Sequence, residues 1–541
     1  MVQADVATPT VLTAAAIEEK KKLQKHFGRF DVLFFLLCTL VGLDTIGTVA
    51  ANGGQGFTWL IVLAVLFFVP SALLFAELGS SFPEEGGPYV WTRMAFGHMA
   101  GAINNLLYWI TNPVWMGGTL ALTAVTAIEA FFNSGNTFTN VGFYIITMLF
   151  IWLGTLAAIL SFQVGKWLPT LGAFVRFVVL GFFTVTVVVY AIKNGFHGVS
   201  GSDFKPSWLV FLSAVPVLVF NYVGFELPSA AGEEMTDPQK DVPLGIMRSA
   251  VGAVLLYGLP ILGILLVLPT EQITNLGGFV DAIKASFTVY GGSVASDGTA
   301  TLTGAGAFLG GVMGVGFVLA LLTSGVAWIM GSDRALAVSG YDGAAPRSLG
   351  VISPRFGTPV RVNILSGITA TVVCVLAHQL TSGSAAKYFS AVLGLTISTT
   401  LISYIAIFPA VIVLRRKYPD TPRPFRIPGG RVGLHLCTWL STFFVVLGTI
   451  WLIYPGFATN WLAGAKLDDS LPDGWAGQRG QYTLSQLIPL AVFVLIGISF
   501  WLAGRRTRAQ VADIADIDRE VAALTGQTGT GEIPTPRSAQ T

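Results

Sequence analysis

Apolar residues fall into twelve long runs: 31–51, 56–80, 97–131, 142–162, 167–193, 209–234, 244–268, 301–331, 360–381, 386–414, 434–455 and 484–504. Each is close to the roughly 20 residues that one helical crossing of a bilayer requires. The runs do not alternate in ten-residue strands, which excludes an outer-membrane barrel. The third and eighth exceed one perpendicular crossing and predict tilt, or a helix that continues past the membrane. The pattern predicts an all-α polytopic membrane protein with 12 transmembrane helices. A polar tail precedes it at 1–30, the membrane domain covers 31–505, and a second tail follows at 506–541. Two loops are long, 269–300 and 456–483, and the first predicts a short helix near 277–287.

Two runs are interrupted at mid-depth. The first reads FFLLCTLVGLDTIGTVAANGG and is broken by Gly42, Asp44, Thr45, Gly47 and Thr48. The sixth reads VFLSAVPVLVFNYVGFELPSAAGEE and is broken by Pro216, Asn221, Gly224, Glu226 and Pro228. They stand five places apart in the series, so they match if the first ten form two five-helix halves, 31–193 and 209–414, with 434–504 supplying helices 11 and 12. Lipid cannot satisfy freed backbone groups, so such breaks survive where they line a cavity or bind something. Gly and Pro can also simply kink or pack a helix. Paired breaks in two halves point to a secondary transporter with an inverted repeat. The N-terminal end of a half-helix attracts a carboxylate, and freed carbonyls attract an ammonium. An amino-acid zwitterion carries both. The expected substrate contacts are Gly42, Asp44, Thr45, Ile46, Gly47 and Thr48 in the first break, and Phe220, Asn221, Tyr222, Val223 and Gly224 in the sixth.

Composition agrees. Apolar residues make up 53% of the 541 and charged residues 11%, against about 25% charged in a soluble domain. The distribution of basic residues assigns orientation. With both termini cytoplasmic, six of the 31 Lys and Arg lie outside (Lys193, Lys205, Lys284, Lys387, Lys466, Arg479), Arg176 lies inside the fifth run, and the remaining 24 lie inside the cell. The expected location is the cell membrane. Cys38, Cys374 and Cys437 sit in apolar runs, the histidines are scattered, and no phosphate loop of the GxxxxGK type occurs. These features predict no enzyme, no metal and no cofactor, and nothing points to a nucleic-acid partner.

Four motifs carry a family resemblance from about residue 25 to 505. They are FAELGSSFPEEGGPYVWTRMAFG after the second run, FNYVGFELPSAAGEEMTDPQKDVPLGI through the sixth, AWIMGSDRALAVSGYDGAAPRSLG after the eighth, and RRKYPDTPRPFRIPGG after the tenth. The chain resembles the amino acid–polyamine–organocation transporters, whose leucine-transporter-type fold has two inverted five-helix repeats with helices 1 and 6 broken. The surroundings of Trp328, PEEGG and IPGG are most similar to the glutamate–GABA antiporter branch. Many members carry a GSGIF-type break where this chain has VGLDTIGTVAANGG, and Asp44 departs from that pattern.

The resemblance implies sodium-independent permease or antiporter activity toward amino acids, with protons or a counter-substrate as coupling partners. Polyamine or other organic-cation uptake is the alternative. Glu226 would be the proton-sensitive or gating acid, or a structural carboxylate that satisfies freed N–H groups. Arg176 would stand where sodium-coupled relatives bind sodium, or snorkel to the cytoplasmic face. Asp44 would pair with Arg176, meet the substrate amine or hold the unwound backbone. Phe220 resembles an aromatic gate, and Trp328 has a similar status. Glu77, Glu233, Glu234, Arg248, Asp333 and Arg334 flank the inside mouths and would form an ion-pair lock, or be solvated interfacial charges.

Overall fold

The computed structural model describes residues 28–133, 136–164, 167–196, 200–235, 237–295, 298–464 and 466–509. The outer parts of both tails, including the helical pattern expected after residue 510, lie outside the described residues. So do the side chains of Glu233 and Glu234.

The chain is a multi-pass helical membrane protein. Its helices are α1 (Arg29–Leu40), α2 (Ile46–Ala50), α3 (Gly53–Ser81), α4 (Gly87–Phe96), α5 (His98–Phe132), α6 (Asn140–Val164), α7 (Trp167–Asn194), α8 (Trp208–Asn221), α9 (Pro238–Val267), α10 (Gly278–Phe287), α11 (Gly304–Tyr341), α12 (Val360–Leu380), α13 (Ala385–Lys417), α14 (Gly430–Ile453) and α15 (Arg479–Ala503). Among the described residues, eleven spans are long and apolar enough to cross a membrane, with α1 and α2 together counted as one. The sixth run supplies only α8, of 14 residues, because the backbone leaves the helix at Tyr222. The other runs fall on helices, several of them longer than expected. α9 begins at Pro238, and α11 continues to Tyr341 over 38 residues.

Both expected breaks are present. α1 ends at Val41 (φ −104°, ψ 89°), Gly42 is extended, and one tight turn at Leu43–Thr45 leads into α2. After α8, Tyr222 (φ −107°, ψ 20°) and Gly224 (φ +125°) turn the chain into a 3-10 stretch at Leu227–Glu234.

A third irregularity was not expected. α5, the long third run, carries Pro113, which lacks a backbone N–H. It then widens into a π-turn at Met116–Leu120, where Gly118 is non-helical (φ −97°, ψ −105°). A proline followed by a one-turn π-bulge is a recognised cause of a kink. Such bulges concentrate at functional sites.

Contacts define two ends. At one, Lys417 Nζ reaches the carbonyl of Ala95 (2.8 Å), and Arg508 reaches that of Gly343. This end carries the basic 415–431 turn. At the other, Lys193 bonds the carbonyl of Val289, and Asn275 bonds Asp473. The 269–300 loop there holds α10 and a hairpin, β1 (Gly292–Val294) antiparallel to β2 (Ala300–Leu302), with Ser293 opposite Thr301.

Candidate functional site

The end of α1 exposes carbonyls that no helix satisfies. Three side chains from elsewhere take them, Ser324 Oγ of α11 donating to Cys38 O (3.3 Å). Trp328 Nε1 of α11 donates to Thr39 O (2.9 Å), and Arg176 Nε of α7 donates to Val41 O (3.0 Å). The remaining Arg176 donors reach Gly172 O (2.8 Å), Thr323 Oγ1 (3.2 Å), Ala320 O (2.7 Å) and Ser324 Oγ (2.5 Å), with Cys38 Sγ at 3.5 Å. A guanidinium has five N–H donors, and all are taken by neutral acceptors from α1, α7 and α11. The side chain is fully buried. It therefore does not snorkel to a membrane surface, and the expectation that it could is corrected. Its fork bonds three helices at once.

Asp44 lies in the tight turn of the first break and is 2% exposed. Its Oδ2 accepts from Trp115 Nε1 (2.8 Å) and Thr119 Oγ1 (2.9 Å), one residue just before the π-turn of α5 and one inside it. Its Oδ1 is buried without a hydrogen-bond partner. No ion pair joins it to Arg176, whose donors are used elsewhere. Gly42 N donates to the hydroxyl of Tyr257 on α9 (2.8 Å). Ile46 and Gly47 are buried in α2, and Thr48 bonds the carbonyl of Asn275 (3.2 Å).

The second break faces the first. Thr45 Oγ1 donates to Asn221 Oδ1 (2.7 Å), while Asn221 Nδ2 is buried without a partner. Tyr222 donates to the carbonyl of Leu60, and Val223 is buried. Gly224 has the left-handed φ that favours glycine. A side chain there would also press on Trp328, whose ring lies 3.1 Å from the place of a Cβ. Glu226 is fully buried. Its Oε1 accepts from Tyr108 of α5 (3.1 Å), Tyr404 of α13 lies beside it, and its Oε2 has no partner. Phe220, Trp115 and Trp328 form an edge-to-face series, with both centroid separations at 6.0 Å.

One face of α5 thus reads both breaks. Tyr108 holds Glu226. Trp115, two turns further along, and Thr119 hold Asp44. Asn105 (to Ala335 O), Thr111 (to Thr399) and Asn112 continue the stripe. The sequence reading passed over this face. The signal was available as polar residues at helical spacing in an apolar run: 105, 108, 112, 115, 119 and 123.

Of the six charges expected at the inside mouths, the four whose side chains are described do not form one cluster. Glu77 is paired with Arg415, lies 3.7 Å from Arg423, and accepts from the backbone N–H of Ile427 (2.9 Å). Asp333 is fully buried among Trp109 (2.9 Å), Ser366 (2.7 Å) and Asn363 (2.7 Å). Arg334 bonds the carbonyl of Met330, and Arg248 is exposed. A buried pair at the same end went unread: Arg93 of α4 and Asp342 just beyond α11, 3.1 Å apart, with Tyr89 on the same carboxylate (2.6 Å).

Comparison with known proteins agrees with this architecture. A probable agmatine/putrescine antiporter of Lactococcus lactis is 27% identical, over 80% of this chain and 89% of its own length. A branched-chain amino acid permease of Bacillus subtilis is 26% identical, over 83% and 93%. A cadaverine/lysine antiporter of Escherichia coli is 23% identical, over 66% and 75%. The profile of the amino acid permease family matches residues 27–468. With the matched stretch running through both breaks and all the helices that hold them, the chain belongs to the amino acid permease family.

Proposed function

We propose that this permease moves amino acids across the cell membrane by secondary active, alternating-access transport that needs no sodium. One observation carries the reading. Two interrupted helices meet at Thr45–Asn221, and each brings a buried carboxylate with one oxygen unpaired, Asp44 Oδ1 and Glu226 Oε2. A buried charge without a partner is costly and marks a site. The substrate ammonium would satisfy Asp44, and its carboxylate would meet the N–H groups of Thr45–Thr48 where α2 begins. Phe220 and Trp328 would close over it.

Arg176 supports independence from sodium. Its fixed charge fills a cage of backbone and hydroxyl oxygens, the donor set a hard cation prefers. Glu226, held by Tyr108 with one oxygen free, would carry the coupling proton, or exchange with a counter-substrate would replace it. Glu77 would hold the cytoplasmic path shut through Arg415 and Arg423. In this reading α8 and the 3-10 stretch after it form one broken crossing, giving 12 spans with inverted repeats at 31–193 and 209–414. The Lys and Arg distribution puts both termini in the cytoplasm.

A second reading is transport of polyamines or other organic cations. Two unpaired buried carboxylate oxygens favour it, because Arg176 has no donor left to balance either. Relatives named for agmatine, putrescine and cadaverine are in keeping with it. The experiment is exchange in proteoliposomes loaded with leucine, lysine or putrescine. Flux of lysine or leucine that persists when choline replaces sodium supports the first reading. Flux of putrescine alone selects the second. No flux of any of the three, with or without a pH gradient, rejects both.

A further inference from the structure

A cavity of about 390 Å³ opens at the end opposite the basic turn. It lies directly outward of the two breaks. Its inner wall is Thr48 and Asn52 from the first broken span and Pro216 and Val217 of α8, one turn beyond Thr45 and Asn221. Its far wall is α13, with Trp451 and Leu452 of α14. Residues 470–473 of the following loop cover it, tied at Asp473: Asn275 Nδ2 donates to Asp473 Oδ2 (2.5 Å), and Ser390 Oγ to Asp473 O (3.1 Å). Asn275 also accepts from Thr48. The chamber thus has a roof at Asn275–Asp473, and the Thr45–Asn221 contact forms a floor one turn beneath its inner wall.

Among the described residues, Asp473 is the only charged one in the lining. Lys387, nearby, is turned to Gln478 and the Trp475 ring, and Arg479 to the carbonyl of Pro455 and the Tyr454 ring. Ser470 Oγ, in the wall, is buried without a partner. Gly394 leaves that wall bare. A Cβ there would lie 2.9 Å from the Tyr482 hydroxyl and 3.1 Å from Gln486 Oε1, and that oxygen too is buried and unpartnered. Phe389 and Trp451 offer apolar surface for a carbon chain. The volume suits a small solute.

We propose that this chamber is a second binding site, for a small organic primary ammonium, on the outward side of the Thr45–Asn221 floor. The ammonium is held by Asp473, with the Tyr482, Gln486 and Ser470 oxygens as neutral acceptors. The proposal rests on the reading of the chain as a carrier of amino acids or amines.

The test uses the purified full chain with Ser213→Cys. Ser213 is exposed and lines the chamber, whereas the three native cysteines are buried. Modification by a membrane-impermeant thiol reagent is timed with putrescine as the probe. Putrescine is expected to slow the reaction at least five-fold. Adding Asp44→Asn leaves that protection in place, Asp473→Asn abolishes it, and Asp473→Glu restores most of it. Matching reaction rates without putrescine show that each variant is folded. Protection that disappears with Asp44→Asn, persists with Asp473→Asn, or never appears overturns the proposal. Any of these results alongside measurable exchange in proteoliposomes leaves the transport reading standing, so the two fail separately.

Discussion

Thr45 donates its hydroxyl hydrogen to Asn221 Oδ1 across 176 positions of sequence, at 2.7 Å, and so ties one unwound helix to the other. The bond is buried. Removing its donor leaves an acceptor unsatisfied, at about 1–3 kcal/mol. Thr45→Val keeps the shape and deletes the bond. It is expected to lower the thermal midpoint in detergent by a few degrees and to reduce exchange about ten-fold. Thr45→Ser keeps the bond and both properties. An unchanged Thr45→Val protein would show that the two breaks are held together by other contacts.

Arg176 supplies the sharpest test of the sodium argument. Arg176→Ala leaves the carbonyls of Val41, Gly172 and Ala320 and the hydroxyls of Thr323 and Ser324 around an empty space. Its thermal midpoint is expected to fall sharply, then recover as sodium, but not choline, is raised, because a ligand of the folded state stabilises by mass action. The wild-type midpoint is expected to ignore sodium. Arg176→Lys cannot span all five acceptors and falls between. If sodium fails to stabilise Arg176→Ala, the oxygen cage does not account for sodium independence.

The positions of both breaks were legible because they set Gly, Pro, Asp and Glu against apolar neighbours, where lipid tolerates few of them. The third was not. Pro113, Gly117, Gly118 and Thr119 leave the third run apolar enough to read as one helix, whose excess length reads equally as tilt or as continuation past the membrane. Partners were less legible still. Glu77 and Arg415 lie 338 residues apart, and no periodicity joins them. Arg176 was left between two roles because hydropathy places a residue in depth but not in rotation around the helix. Rotation is what points its fork at α1 and α11.

Gly224→Ala tests the second break by sterics alone. The backbone there has φ +125°, a region in which a β-carbon adds roughly 1–3 kcal/mol of strain. The new methyl also meets the Trp328 ring. Trp328 cannot retreat without giving up Thr39 O. The expected result is a lower midpoint and loss of exchange. Adding Trp328→Phe, which frees space, recovers part of the midpoint but not the activity.

Glu226 should govern pH dependence if it carries the coupling proton. Its shape is kept in Glu226→Gln, and Tyr108 can still donate to the amide oxygen. Uptake driven by a pH gradient is expected to vanish, while exchange at equal pH continues and becomes flat between pH 5 and 8. The readout is the ratio of the two fluxes. Glu226→Gln protein that still accumulates substrate against a gradient removes this residue from the coupling.

Glu77 separates a lock from a solvated surface charge. It is 2% exposed, faces two guanidinium groups, and accepts from Ile427 N–H. Removing one member of a buried charge pair costs about 3–5 kcal/mol, because the partner is left desolvated. Glu77→Gln strands Arg415 and leaves Arg423 with backbone carbonyls alone, whereas Arg415→Gln leaves Glu77 with Arg423 and Ile427. The loss of midpoint should therefore be larger for Glu77→Gln. The double variant Glu77→Gln/Arg415→Gln should lose less than the sum of the singles, as contacting residues do. Salt should not reproduce the effect, since screening acts on exposed charges. If the pair also closes the cytoplasmic path, Glu77→Gln raises the labelling of Ser81→Cys, whose position borders Glu77 and Arg415, by a reagent applied from the cytoplasmic side. A destabilised protein with unchanged labelling would make Glu77 a staple of the fold and not a gate.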